Sequence, residues 1–206
     1  MQPASGRGWD ESAASGIAAE LDRHRIALAD VLEKLAREPS DLAAAANLIV
    51  ATLAGGGTIW LAGNGGSAAE AQHFAAELIG RFKLDRAPFA ALALTTDTSV
   101  LTAVANDYCY DDVFARQVEA VGRRGDAFVA LSTSGESENL VRAAQVAHRR
   151  GMTVVALTGR RPNRLSDLAD VAVAVPAADT ALIQEVHMTV THLLCGIVER
   201  SAAPAA

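Results

Sequence analysis

The chain has 206 residues, half of them hydrophobic, and a formal net charge of −6 with a pI near 5.3. That length supports one good core but not two ordinary domains, and the acidic balance excludes an overall positive field for nucleic acid or an anionic membrane. Cys109 and Cys195 stand far apart without metal spacing, which excludes a disulfide framework and suits a reducing cytoplasm.

Residues 1–9 are rich in Gly, Ser and Pro and show no charged-then-apolar leader pattern, so a loose tail is expected there. From Asp10 to about Ala36, Ile17, Leu21, Ile26, Leu28, Val31, Leu32 and Leu35 recur at helical spacing among charges. This long amphipathic helix either packs on its own domain or finishes its burial on a neighbouring subunit. A second, alanine-rich helix is expected from Asp41 to Leu53, stopped by Gly55-Gly56-Gly57. No apolar run approaches the roughly 20 residues needed to span a bilayer, so no membrane partner is expected.

Thr58 to Arg81 reads as a buried strand, a glycine-rich turn and a helix in succession. The strand, Thr58 to Ala62, ends in Gly63-Asn64-Gly65-Gly66-Ser67, where glycines allow close backbone approach and Ser67 is placed to cap the helix. An anion fits at such a start. His73 and Glu77 are four residues apart, so they project from one face, with Arg81 a turn further. The pair can hold a metal, move protons or form a surface ion pair.

A polar segment with Pro88 leads to a second strand, Phe89 to Leu94; Thr95-Thr96-Asp97 then caps a short helix over Val100 to Val104, ended by Asn106-Asp107-Tyr108. Asp111 to Val121 is a helix stopping at Gly122, and Asp126 to Leu131 a third buried strand. Ser132-Thr133-Ser134-Gly135-Glu136-Ser137 follows, immediately before a helix running to about Arg150. Its hydroxyls exceed what capping requires, so a phosphate monoester is the expected guest.

Thr153 to Thr158 is a fourth strand, Gly159 to Leu168 a turn and short helix, and Val171 to Val175 a fifth strand ended by Pro176. Strands alternating with helices predict a parallel sheet covered on both faces, with ligands beyond the carboxyl ends of the strands. The last helix, about Thr180 to Arg200, carries Gln184, Glu185, His187 and His192 among apolar residues. Gln184 and His192 are two turns apart on one face, and His187 lies about 60° off Gln184.

The stretches GNGGSAAEAQHFAAEL at 63–78, LTTDTSVLTAVANDY at 94–108, STSGESENL at 132–140 and IQEVHMTVTH at 183–192 together resemble the sugar isomerase (SIS) domain family, and within it the phosphoheptose isomerases, which act on sedoheptulose 7-phosphate. The likeness covers nearly the whole chain after the tail and assigns residues 10–206, N-terminal helices included, to one domain. It implies a three-layer αβα, Rossmann-like fold around a five-stranded parallel sheet, and a homotetramer with active sites at subunit interfaces. It also implies one zinc per subunit, on His73, Glu77, Gln184 and His192. Substrate contacts implied are Ser132, Thr133, Ser134 and Ser137 for phosphate, Asn64, Gly65, Gly66 and Ser67 closing on the sugar, Asn106 and Asp107 at its hydroxyls, and Arg81 and Gln184. Where the family can carry an aspartate three residues before the glutamine, this chain has Ala181, with Asp179 and Thr180 slightly earlier.

The implied chemistry is ketose–aldose interconversion of a sugar phosphate through an enediol. It needs a base near C1 and C2, an acid for the oxygen and an electrophile for the developing charge. The resemblance points to Glu77 and His192 as the acid/base pair. An imidazole nitrogen bonded to zinc cannot take a proton on the same lone pair, so His192 must use its other nitrogen, leave the metal or act mainly as a ligand. Glu77 has a second oxygen and is the better base. A relative on the same scaffold, associated with a replication initiator, acts by binding a partner and lacks the glutamate and terminal histidine that this chain keeps.

Overall fold

The computed structural model describes residues 11–202, so the expected tail at residues 1–9 lies outside the described residues. In chain order the elements are α1 Glu11–Arg37, α2 Ser40–Ala54, β1 Ile59–Gly63, α3 Gly66–Ile79, β2 Ala91–Ala93, α4 Thr98–Asp107, a 3-10 turn Tyr110–Asp112, α5 Val113–Val121, β3 Ala127–Ser132, α6 Glu138–Arg149, β4 Thr153–Thr158, α7 Arg164–Leu168, β5 Val171–Ala174 and α8 Thr180–Ala202. The five strands form one parallel sheet in the order β2-β1-β3-β4-β5.

Strand residues alternate between two cores. Ile59, Leu61, Val129, Leu131, Val155 and Leu157 pack with α2, α3 and α8 on one face. Ala62, Phe128, Ala130, Val154 and Ala156 pack with α5 and α6 on the other. Central strands covered on both sides must be apolar at every position, which is why IWLAG and AFVALS read as continuous runs rather than alternating ones. The chain leaves β1 toward β2 on one side and returns to β3 on the other. Strand order therefore switches between β1 and β3, and the turns that follow them part toward opposite faces.

Four local expectations are corrected. Ser67 does not cap α3: the cap position is Gly65, at φ 54° and without a side-chain cap bond, and Ser67 is buried inside the first turn. The tight turn places the helix start two residues earlier than a serine cap would. Asp97 alone caps α4, accepting from Val100 N at 3.0 Å, so Asn106 and Asp107 are its last residues rather than its terminator. Asp111 and Asp112 belong to the 3-10 turn ahead of α5. Finally, α8 is long and apolar enough, by length and composition, to cross a membrane. Its apolar stripe Val186, Val190, Leu194 and Val198 is instead buried in the core.

Candidate active site

The seam between α3 and α8 carries most of the expected chemistry. His73 Nε2 lies 2.9 Å from His192 Nε2 and 3.4 Å from Glu77 Oε1. One donor atom from each of the three residues falls within 4.8 Å of the others, and all three are half-buried. The i,i+4 spacing on α3 supplies the first pair, and packing of α8 beside α3 supplies His192 from 119 residues away. Two imidazole nitrogens facing each other at 2.9 Å share at most one proton, whereas a cation about 2.0–2.2 Å from nitrogen and oxygen donors holds them roughly 3.3 Å apart. The donor set therefore fits a divalent ion.

Gln184 is held at the other end of the seam. A Cβ on Gly66 would lie 2.5 Å from Gln184 Nε2, so the amide rests on the opening turn of α3, and any side chain there would have to displace it. His192 is about 12 Å further along α8 by helical rise. The structure thus groups His73, Glu77 and His192, and places Gln184 beside the glycine turn. Arg81, expected a turn beyond Glu77 on the same face, is exposed past the end of α3 at Ile79. Asp179 accepts from Leu182 N at 2.8 Å at the start of α8, so its carboxylate is occupied as a cap.

The serine loop is a built cradle. Ser132 Oγ lies 3.4 Å from Ser134 Oγ and 3.3 Å from Ser137 Oγ, and it accepts from Gly135 N at 3.1 Å. Ser137 occupies the cap position of α6 yet makes no side-chain cap bond, which leaves its hydroxyl available at a 12-residue helix's N-terminus. Gly135, at φ 69°, has Asn163 where a Cβ would stand, so the loop is clamped onto the α7 cap. Glu138 at the start of α6 is held below its usual range by hydrogen bonds from Arg164 and then Arg142, so its charge is already countered. Thr133 is half-buried in the same loop, while Asn106 and Asp107 are exposed, joined to each other at 2.8 Å.

Several contacts were not legible beforehand. Phe82 stacks on His192, ring centroids 5.3 Å apart and 17° from parallel. The turn carrying it is held by buried Glu199, which accepts from Phe82 N, Lys83 N and Leu84 N at 2.7, 2.9 and 3.1 Å and pairs with Arg86 at 3.3 Å. Burial alone would raise Glu199, but those three N–H groups and Arg86 hold it below its usual value.

Between Gln184 and His192, Glu70 and His187 face each other across the seam, Oε2 to Nδ1 4.0 Å, both buried and neither atom hydrogen-bonded. They are not an ion pair near neutrality. Burial pushes Glu70 up to about 7, against the lowering effect of the Ser67 hydroxyl. Burial likewise lowers His187 to about 4, although its Nε2–H donates to Thr158 O at 3.1 Å. Cys195, buried in α8, is pushed up to about 12 by its surroundings and is an inert packed thiol.

The SIS domain model matches residues 24–159. A phosphoheptose isomerase of Akkermansia muciniphila is 51% identical over 175 residues, covering 85% of this chain and 93% of that protein. The solved phosphoheptose isomerase of Neisseria gonorrhoeae superposes with a TM-score of 0.82 at 42% identity, covering 91% of this chain and 99% of that one. That of Francisella tularensis gives 0.84 at 35% identity, over 89% and 98%. With a sheet of this order, a glycine turn and serine cradle at its carboxyl edge, and likeness along almost its full length to enzymes of one kind, the chain belongs to the SIS domain family, among the phosphoheptose isomerases.

Proposed function

We propose that the chain isomerises D-sedoheptulose 7-phosphate to D-glycero-D-manno-heptose 7-phosphate, the first step of ADP- or GDP-heptose biosynthesis. The observation that carries this reading is the meeting of His73, Glu77 and His192 in the seam between α3 and α8, in a chain that also holds a serine cradle after β3 and is about half identical to named phosphoheptose isomerases. Phosphate binds the hydroxyls of Ser132, Thr133, Ser134 and Ser137 and the N–H groups opening α6. The sugar then runs past the glycine turn, with C1 and C2 at Glu77. Glu77 removes the C1 proton of the ketose and returns it to C2, while His192 passes a proton between O2 and O1. Phe82, stacked on the imidazole, holds its plane for that transfer.

One zinc per subunit on His73, Glu77 and His192 is part of the same proposal, and when bound it would polarise the substrate carbonyl; Gln184, expected as a fourth ligand, rests on the glycine turn about 12 Å along α8 from His192 and stays outside this set. A homotetramer with active sites at subunit interfaces is supported by exposed apolar residues near the cluster and along α1: Leu193, Ile79, Ile17, Leu21 and Ile26. A cytoplasmic location accords with two unpaired cysteines. Incubating the metal-loaded protein with sedoheptulose 7-phosphate and following the product by NMR tests the activity. A folded, loaded protein that leaves the ketose unchanged would refute it, and the initiator-binding alternative would then be tried by pull-down.

A further inference from the structure

The crevice between the turn after β1 and the loop after β3 is crossed by one side-chain pair. Asn64 Nδ2 donates to Asn139 Oδ1 at 3.0 Å, and Asn139 Nδ2 donates back to Asn64 Oδ1 at 2.9 Å. Tyr110 Oη donates to the same Asn64 oxygen at 3.0 Å. Asn139 is buried at the start of α6, whereas the Tyr110 ring is exposed. A carboxamide has two acceptor sites and two N–H donors. Asn64 has both acceptor sites filled and one donor engaged, so a substrate is left a single side-chain N–H and the backbone.

Each partner comes from a different binding segment. Asn64 sits in the glycine turn, Asn139 two residues beyond Ser137 of the phosphate cradle, and Tyr110 three residues beyond Asp107. We propose that Asn139 and Tyr110 are positioning residues that brace Asn64, so that one amide fixes the spacing of all three segments around the crevice. The role expected for Asn64 as a direct sugar contact becomes mainly that of the brace. This rests on the sugar-phosphate reading above for its function, though not for its geometry.

Asn139→Asp is the discriminating change. When ionised, the new carboxylate sets a lone pair against Asn64 Oδ1; when protonated, it donates there again. Losing that bond and leaving a buried oxygen unpaired costs about tenfold in binding. At pH 8 the KM for sedoheptulose 7-phosphate is expected to rise about tenfold over the parent, with kcat within about twofold. The KM ratio should fall toward about two by pH 5.5. Tyr110→Phe, at an exposed ring that endangers no core, should raise KM about threefold with no pH trend. Calorimetric affinities should follow both KM values. A ratio for Asn139→Asp that does not move with pH, or affinity unchanged in Tyr110→Phe, overturns the brace. Tyr110→Phe decides alone if the other variant does not fold. If the parent neither binds nor converts the sugar, the proposed function fails. The brace is then read from the Asn64 side-chain amide signals, which Tyr110→Phe must shift; unmoved signals overturn it.

Discussion

Glu70 and His187 make opposite demands on pH, and removing either exposes the other. Glu70 is raised from 4.5 to about 7, so its share of stability is complete below pH 4.5 and is lost as pH rises through 7. His187 is lowered from 6.5 to about 4, so its share is complete above pH 6.5 and is lost as pH falls toward 4. Between about 4.5 and 6.5 the unfolded chain has lost the acid's proton and gained the imidazole's, and the two slopes cancel. Each shift spans about 2.5 units, which bounds each contribution at roughly 3 kcal/mol. Glu70→Gln should therefore gain stability relative to the parent by up to about 3 kcal/mol between pH 4 and pH 8. His187→Gln, whose amide can still donate to Thr158 O, should gain a similar amount relative to the parent between pH 7 and pH 4. Urea unfolding at a series of pH values and one fixed protomer concentration measures both. Relative stabilities flat within about 0.5 kcal/mol from pH 4 to 8 in both variants would refute the assignment of two neutral buried groups.

Glu77→Gln should bind sedoheptulose 7-phosphate within a few-fold of the parent but lose about 10² to 10⁴ in rate; persistent exchange of the C1 hydrogen with deuterated water in the metal-loaded variant would transfer the base role to His192. His73→Ala should lose most of the roughly one zinc per chain expected in protein purified without chelator, read by elemental analysis. Full activity after exhaustive chelation, with no metal detected, would end any catalytic role for the ion. Ser134→Ala should weaken binding by roughly 1.5–3 kcal/mol if it donates to phosphate, seen as a raised KM with unchanged thermal unfolding.

Local pattern carried a good part of this protein. Apolar runs such as AFVALS and TVVALT need only their own composition to declare strands buried on both faces, and Thr153–Thr158 emerges with its expected bounds. The i,i+4 spacing of His73 and Glu77 puts them on one face whatever surrounds the helix, and four hydroxyls before α6 mark an anion cradle for the same local reason. Helix boundaries were legible where the sequence writes a cap or a stop, as Asp97 does ahead of α4 and Gly122 after α5, while at α3 the glycine backbone turns first and Ser67 is drawn inside. Contacts between elements left no such trace. His192 meets His73 rather than Gln184 because α8 lies alongside α3, so eight residues of rise separate the glutamine from the cluster. Only that packing removes water from Glu70 and His187, lays Phe82 on His192 and closes Asn64 onto Asn139, since desolvation and hydrogen-bond partnership belong to neighbours in space, not in sequence.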